Sequence, residues 1–301
     1  MCCTDRQIYV NAYQYSSEMQ IGIGLPNTLD ADRETLLTWA ERAEDGPFTS
    51  LGVFDRLVYR STDPLATLAA CIGYTEDIQL VTSIVAGPLR NDALLAKRAA
   101  TVDRLSGGRL TLGLALGARP EDYEAAGVNF DGRGRRFSKQ LNSLRESWED
   151  DEIGPEPARE GGPHLLVGGD SDPTFNRVGR YADGYIHGGG PPRAFERKAE
   201  QARAAWAESG RPGDPDLWGH GYFALGEDAA ERGREYLLDY YAFTGPFAEK
   251  IADSLLTTPQ EVLQFVRGYA DAGCDELLLF PTVADDDQYD RLETLIETEW
   301  R

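Results

Sequence analysis

The feature that most constrains this chain is an alternation repeated along most of its 301 residues: a short apolar run, then a segment with apolar residues at helical spacing. Runs at Gln20–Leu25, Leu51–Phe54, Ile78–Val85, Arg109–Leu116, His164–Val167, Gly184–His187, Leu217–Leu225 and Asp275–Phe280 read as strands. Helices are predicted over Asp32–Glu44, from Asp63-Pro64 through Tyr74, and again up to Gly107-Gly108. The last of these carries Leu95, Ala99, Val102 and Leu105 on its apolar face. Further helices read over Pro120–Ala126, Arg135–Glu149, Pro173–Tyr181, Ala194–Glu208, onward from Gly226 through Asp253, Pro259–Ala272 and Gln288–Glu299. Strands joined by helical crossovers run parallel, and eight of them predict a single (β/α)8 TIM barrel. An open doubly wound sheet is the alternative that a miscounted strand would leave.

The barrel is expected over residues 19–301, with residues 1–18 as an N-terminal extension, disordered or loosely strapped on. That extension shows neither the basic segment nor the apolar core of a signal peptide, and no run approaches the ~18 apolar residues of a membrane span. A net charge of −21 disfavours nucleic acid and anionic lipid as partners, since both repel an acidic surface. Cys2 and Cys3 are adjacent, while Cys71 and Cys274 lie in apolar runs. Neither a disulfide framework nor a metal-ligand spacing follows, so a cytoplasmic protein with reduced thiols is expected.

In such a barrel the chemistry sits where strands end. The three histidines, His164, His187 and His220, are too dispersed for a zinc site. Lys97, Lys139, Lys198 and Lys250 all fall on helices, which leaves no Schiff-base lysine at a strand end. A barrel so poor in protein nucleophiles points to a cofactor for the hard step. Gly168-Gly169-Asp170-Ser171 follows a strand and opens a helix, which is either a phosphate cradle or a plain capped turn. Asp170 would repel a phosphate unless it faces away. His187, at a strand's carboxyl end, is the candidate proton donor. His164 and His220 read as structural residues, the latter as a satisfied core histidine.

Leu94-Leu95-Ala96-Lys97, Asp103-Arg104-Leu105-Ser106-Gly107-Gly108-Arg109-Leu110 and Gly113-Leu114-Ala115-Leu116-Gly117 resemble the bacterial luciferase-like flavin-dependent oxidoreductases. Ile21–Pro26, Phe54–Tyr59, Leu166–Ser171, Arg180–Gly184 and Cys274–Pro281 are similar to the same family in the same order. The resemblance implies a monooxygenase using reduced FMN and dioxygen, acting on a small organic substrate through a flavin 4a-(hydro)peroxide. It implies a separate flavin reductase as partner, and a homodimer. The cofactor would lie across the mouth near Ser83, Ile84, Gly117 and the Gly168–Ser171 loop, with a cis peptide at Ser83–Ile84. Many members carry a histidine after the second strand, where this chain has Arg56 beside Asp55. An arginine cannot act as a base at neutral pH, but it can hold an anion or stabilise negative charge. Asp55 and Arg56 are therefore candidate catalytic residues, with an Asp55–Arg56 ion pair bracing the loop as the plainer reading. Arg119 is a further candidate contact for flavin or an acidic substrate, and Tyr59, Phe223, Tyr241, Phe243 and Phe247 are candidates for an apolar pocket. A deazaflavin-dependent hydride-transfer enzyme and a non-catalytic flavin-binding protein are the alternatives.

Overall fold

The computed structural model describes residues 19–150 and 153–300, so the expected N-terminal extension lies outside the described residues. Eight parallel strands close into a barrel in chain order, β1 (Gln20–Gly24), β2 (Ser50–Val53), β3 (Gln79–Ala86), β4 (Leu110–Ala115), β5 (His164–Gly168), β6 (Gly184–Ile186), β7 (Asp216–Phe223) and β8 (Glu276–Pro281). Closure is made by β1 on β8, with Gln20 opposite Glu276 and Ile23 opposite Leu279.

The helices are α1 (Arg33–Asp45), α2 (Pro64–Cys71), α3 (Asp92–Leu105), α4 (Pro120–Ala125), α5 (Arg133–Glu149), α6 (Asp172–Tyr181), α7 (Pro192–Glu208), α8 (Glu227–Tyr240), α9 (Phe247–Ala252), α10 (Pro259–Asp271) and α11 (Asp286–Glu299). Their starts follow local chemistry. Asp32, Asp63 and Asn91 accept from the backbone N–H groups of Thr35, Ala66 and Leu94, and Thr258 with Glu261 makes a reciprocal capping box. Each such cap stabilises its helix by ~1 kcal/mol. Two expectations need correcting. The segment after α2 tightens into a 3-10 turn over Ile72–Tyr74. Leu105, predicted on the buried face of α3, is 65% exposed as the last residue of the helix.

Alternate residues of the strands face opposite ways. Leu80, Leu112, Leu165, Leu277 and Leu279 point outward into a buried layer with Trp39, Phe137, Phe195 and Tyr289. Val81, Leu166, Trp218, Tyr222, Leu278 and Phe280 form a second cluster inside the barrel. One of its large residues, Phe280, fills space that two glycines vacate. A Cβ at Gly24 would lie 2.0 Å from the Phe280 ring, and one at Gly52 would lie 2.7 Å from it.

The amino-terminal mouth is closed by paired polar groups. His164 lies 3.0 Å from Asp216 and 3.8 Å from Asp183, in keeping with its structural reading. The buried Glu276 accepts from Thr49 (2.7 Å) and from Ser50, and burial pushes its carboxyl up to about 7.

Candidate active site at the barrel mouth

At the carboxyl ends of the strands, β3 breaks register against β4 between Thr82 and Val85, and the Ser83–Ile84 peptide is cis. Ser83 is buried, and its hydroxyl lies 3.2 Å from Nδ1 of His220. The Ile84 side chain reaches across the mouth. Its Cγ2 is the atom a Cβ on Gly113 would meet at 3.2 Å and one on Gly168 at 3.6 Å. Gly117, with φ +71°, leaves β4 so close to β3 that a Cβ there would sit 3.0 Å from that of Ala86.

His220 is not the satisfied core residue expected. It sits midway along β7 with its ring inside the barrel, edge-on to Phe54 at 5.5 Å, and its Nε2 is buried without a partner. Burial, with a smaller contribution from nearby His187, pushes its pKa down to about 3. The ring is therefore neutral at physiological pH. The parity of β7 decides this placement: Trp218, His220 and Tyr222 share the inner face.

His187 has the opposite parity. It follows β6, and its ring packs on Phe195 (5.9 Å) and Tyr185 (6.1 Å), residues of the outer layer, with Nδ1 3.1 Å from the Tyr185 hydroxyl. Burial lowers its pKa. The expected proton donor thus packs against the outer layer while lying near His220, and among the described residues its Nε2 is buried without a hydrogen-bond partner.

Asp55 and Arg56 also separate. Asp55 accepts from Arg90 through both oxygens, at 2.7 and 2.9 Å, and from the Ala86 amide at 2.9 Å. It ties the end of β2 to the turn after β3. The alternative of an Asp55–Arg56 ion pair is corrected, since Arg90 takes the carboxylate. Arg56 turns instead toward the segment that ends α8. Its Nη1 donates to the Tyr240 carbonyl at 3.0 Å, its Nη2 lies 3.5 Å from Glu121, and its Cζ stands 4.4 Å from the Tyr59 ring centre. Arg119 reaches the same carbonyl at 3.5 Å and lies over the Tyr240 and Phe243 rings at 4.7 and 4.3 Å.

That segment covers part of the mouth. The Tyr241 hydroxyl is 2.5 Å from that of Tyr222, the Tyr236 hydroxyl is 2.7 Å from Thr28, and Asp239 accepts from Tyr59 at 2.7 Å. Of the residues expected to line an apolar pocket, Tyr59, Tyr241 and Phe243 gather here. Phe223 is wholly buried in the outer layer, and Phe247 is 56% exposed at the start of α9.

At the end of β5, Gly169 adopts φ +132°, and a Cβ there would lie 2.8 Å from the Thr174 hydroxyl. Ser171 and Thr174 hydroxyls lie 3.2 Å apart at the start of α6, and the Ser171 side chain makes no capping bond. The Asp170 carbonyl accepts from Lys198 at 2.9 Å, and its carboxylate is near enough to Tyr185 and His187 to oppose their loss of a proton. Arg90, the Tyr240 carbonyl and His220 are the contributors that the sequence did not announce, because each acts on residues distant in the chain.

A family profile described as luciferase-like monooxygenase matches residues 19–273. An uncharacterised protein of Mycobacterium tuberculosis is 33% identical over 136 residues, 41% of this chain and 47% of that protein. An FMNH(2)-dependent dimethylsulfone monooxygenase of Pseudomonas putida is 25% identical over 196 residues, 60% of this chain and 53% of that one. The chain spans about half the length of these curated relatives. A monooxygenase from Streptomyces bottropensis superposes with a TM-score of 0.77 at 20% identity, covering 92% of this chain and 97% of the other. An F420-dependent secondary alcohol dehydrogenase, in complex with an F420–acetone adduct, gives 0.76 at 17%, covering 93% and 98%. At these identities the two structures speak for the fold.

Proposed function

Because this chain belongs to the luciferase-like monooxygenase family, we propose that it is a flavin-dependent oxidoreductase, and specifically a monooxygenase that uses reduced FMN and dioxygen on a small organic substrate. The observation that carries this reading is the side of the mouth made of small residues and backbone, where the cis Ser83–Ile84 bulge, Gly117 and the Gly168–Ser171 loop adjoin.

The residues present fit a phosphorylated ring system. Gly168 and Gly169 let an anion approach the backbone, the Ser171 and Thr174 hydroxyls offer donors, and the start of α6 adds the favourable end of its dipole. Pro173 contributes no amide, so the hydroxyls carry more of that task. Ile84 and the backbone of Ala115–Gly117 supply an apolar bed for a ring. When bound, reduced FMN would supply two electrons for the activation of dioxygen, one atom entering the substrate and the other leaving as water.

The protein's own share is binding, orientation and exclusion of water. Tyr240 and Tyr241 close one side of the mouth over the Phe54 and Tyr222 rings. Arg56 places a guanidinium where many family members carry a histidine, and Arg119 adds a second beside it. His220, neutral and bonded to Ser83, steadies the bulge against which the ring system rests. On the same reading a separate reductase supplies the reduced flavin, and the chain works as a cytoplasmic homodimer.

Reconstitution tests the reading. The purified chain is expected to bind FMN and to convert substrates from a broad panel only when a flavin reductase and oxygen are both present. Tight binding of a deazaflavin with no affinity for FMN would replace it with hydride transfer. Flavin binding without turnover of any compound would leave a carrier.

A further inference from the structure

We infer that Arg56 and Arg119 form an anion subsite at the rim of the mouth that takes the carboxylate or sulfonate of an aromatic organic acid, whose ring packs on the partly exposed Phe243. The inference rests on the oxidoreductase reading only in assigning this anion to the substrate. The two guanidiniums arrive from different strand ends, after β2 and after β4, yet both reach one acceptor, the Tyr240 carbonyl, at 3.0 and 3.5 Å. A single carbonyl dipole is a weak partner for two full charges. The Nε of each arginine is buried without a hydrogen-bond partner. Buried donors left idle are uncommon, and two side by side call for an acceptor.

Charge accounting separates this pair from other buried arginines of the chain. Arg90 holds both oxygens of Asp55, and Arg145 holds Asp183 at 2.8 Å. Arg56 has only the edge of Glu121, at 3.5 Å, and among the described residues Arg119 has no carboxylate within salt-bridge distance. Arg133 and Arg136 also bury an unpartnered Nε, but only Arg56 and Arg119 converge on one carbonyl. Guanidiniums match carboxylate and sulfonate oxygens in geometry, and the partly exposed Phe243 ring beside Arg119 favours a flat apolar body next to the charge.

The test is calorimetric titration with 2-naphthoate, 2-naphthalenesulfonate and the neutral 2-naphthamide, on the chain alone and with FMN added. The acids are expected to bind at least tenfold more tightly than the amide. That preference should fall to within twofold in Arg119→Gln, and likewise in Arg56→Gln. Arg119, partly exposed, keeps the test valid if the more deeply packed Arg56 variant fails to fold. Equal affinities for acid and amide, no binding of either acid, or a preference that survives Arg119→Gln would each overturn the subsite. FMN and riboflavin, compared on the same variants, identify the source of the anion. An unchanged ratio of their affinities supports a substrate group, whereas loss of the preference for FMN in Arg119→Gln would give the arginines to the cofactor phosphate. If the chain alone prefers the acids but binds no flavin, the subsite stands and the proposed reaction falls.

Discussion

Between β1–β2 and β7–β8 the inside of the mouth is filled with rings, whereas between β3 and β6 it is lined by Ile84, Ile186, small residues and backbone. On the filled side Phe54 stacks on Phe280 at 3.8 Å, His220 packs against both, Tyr222 packs against Phe54 and His220, and Tyr240 lies 6.1 Å above Phe54. Glycines occur on both sides but for different reasons. Gly24 and Gly52 are small so that Phe280 can occupy their share of the barrel. At Gly168 a Cβ would meet the Ile186 carbonyl at 3.2 Å and the Ile186 and Ile84 side chains at 3.4 and 3.6 Å, so the space is tight without overlap. One side holds the barrel together and the other leaves a place for something flat.

The largest effect should come from emptying the filled side. Phe280→Ala removes a wholly buried ring whose neighbours Gly24 and Gly52 have no side chains to collapse into the void. A loss of about 3–5 kcal/mol in denaturant unfolding is expected. A loss below about 1 kcal/mol, well under that range, would show that the ring stack is not what holds this side.

The next effect is one of pH. His220 has a folded pKa of about 3 against an ordinary 6.5, so below pH 6.5 the unfolded chain takes a proton that the folded chain refuses. Stability contributed by the neutral ring is complete above pH 6.5 and is lost as pH falls toward 3, at up to ~1.4 kcal/mol per unit. Glu276, raised to about 7, acts in the opposite sense between its ordinary 4.5 and 7, but it does so equally with and without His220. Between pH 7 and 5, wild type should therefore lose about 2 kcal/mol relative to His220→Gln. Parallel curves for the two proteins would mean that the ring is not desolvated.

The smallest effect discriminates best. Gly168→Ala should leave unfolding free energy within about 1 kcal/mol of wild type, since no contact falls below 3.0 Å. FMN affinity should nonetheless fall at least tenfold, about 1.4 kcal/mol, because the added methyl enters the open side. Unchanged affinity would move the flavin elsewhere on the mouth.

Much of this contrast was legible before any coordinates. The sequence pointed to the loops after β3, β4 and β5, and to the unusual Arg56, because strand ends and glycine turns are written in contiguous residues. It misread Asp55, whose partner Arg90 stands 35 positions away and carries no local signal. It also missed that the end of α8 folds over the mouth, since the hydrogen bond from Arg56 to the Tyr240 carbonyl spans 184 residues.

What the sequence determined by itself was the order, type and approximate bounds of the elements, and hence the closed barrel. Helix caps, apolar periods and turn glycines are local, and eight parallel strands have few ways to bury both faces. What only the tertiary structure decided was which side of each strand looks inward. Buried parallel strands are apolar on both faces, so their sequences carry little alternation to reveal parity. His187 and His220 show the consequence. The first reads as a mouth residue and packs into the outer layer; the second reads as core filler and sits inside the barrel beside Ser83.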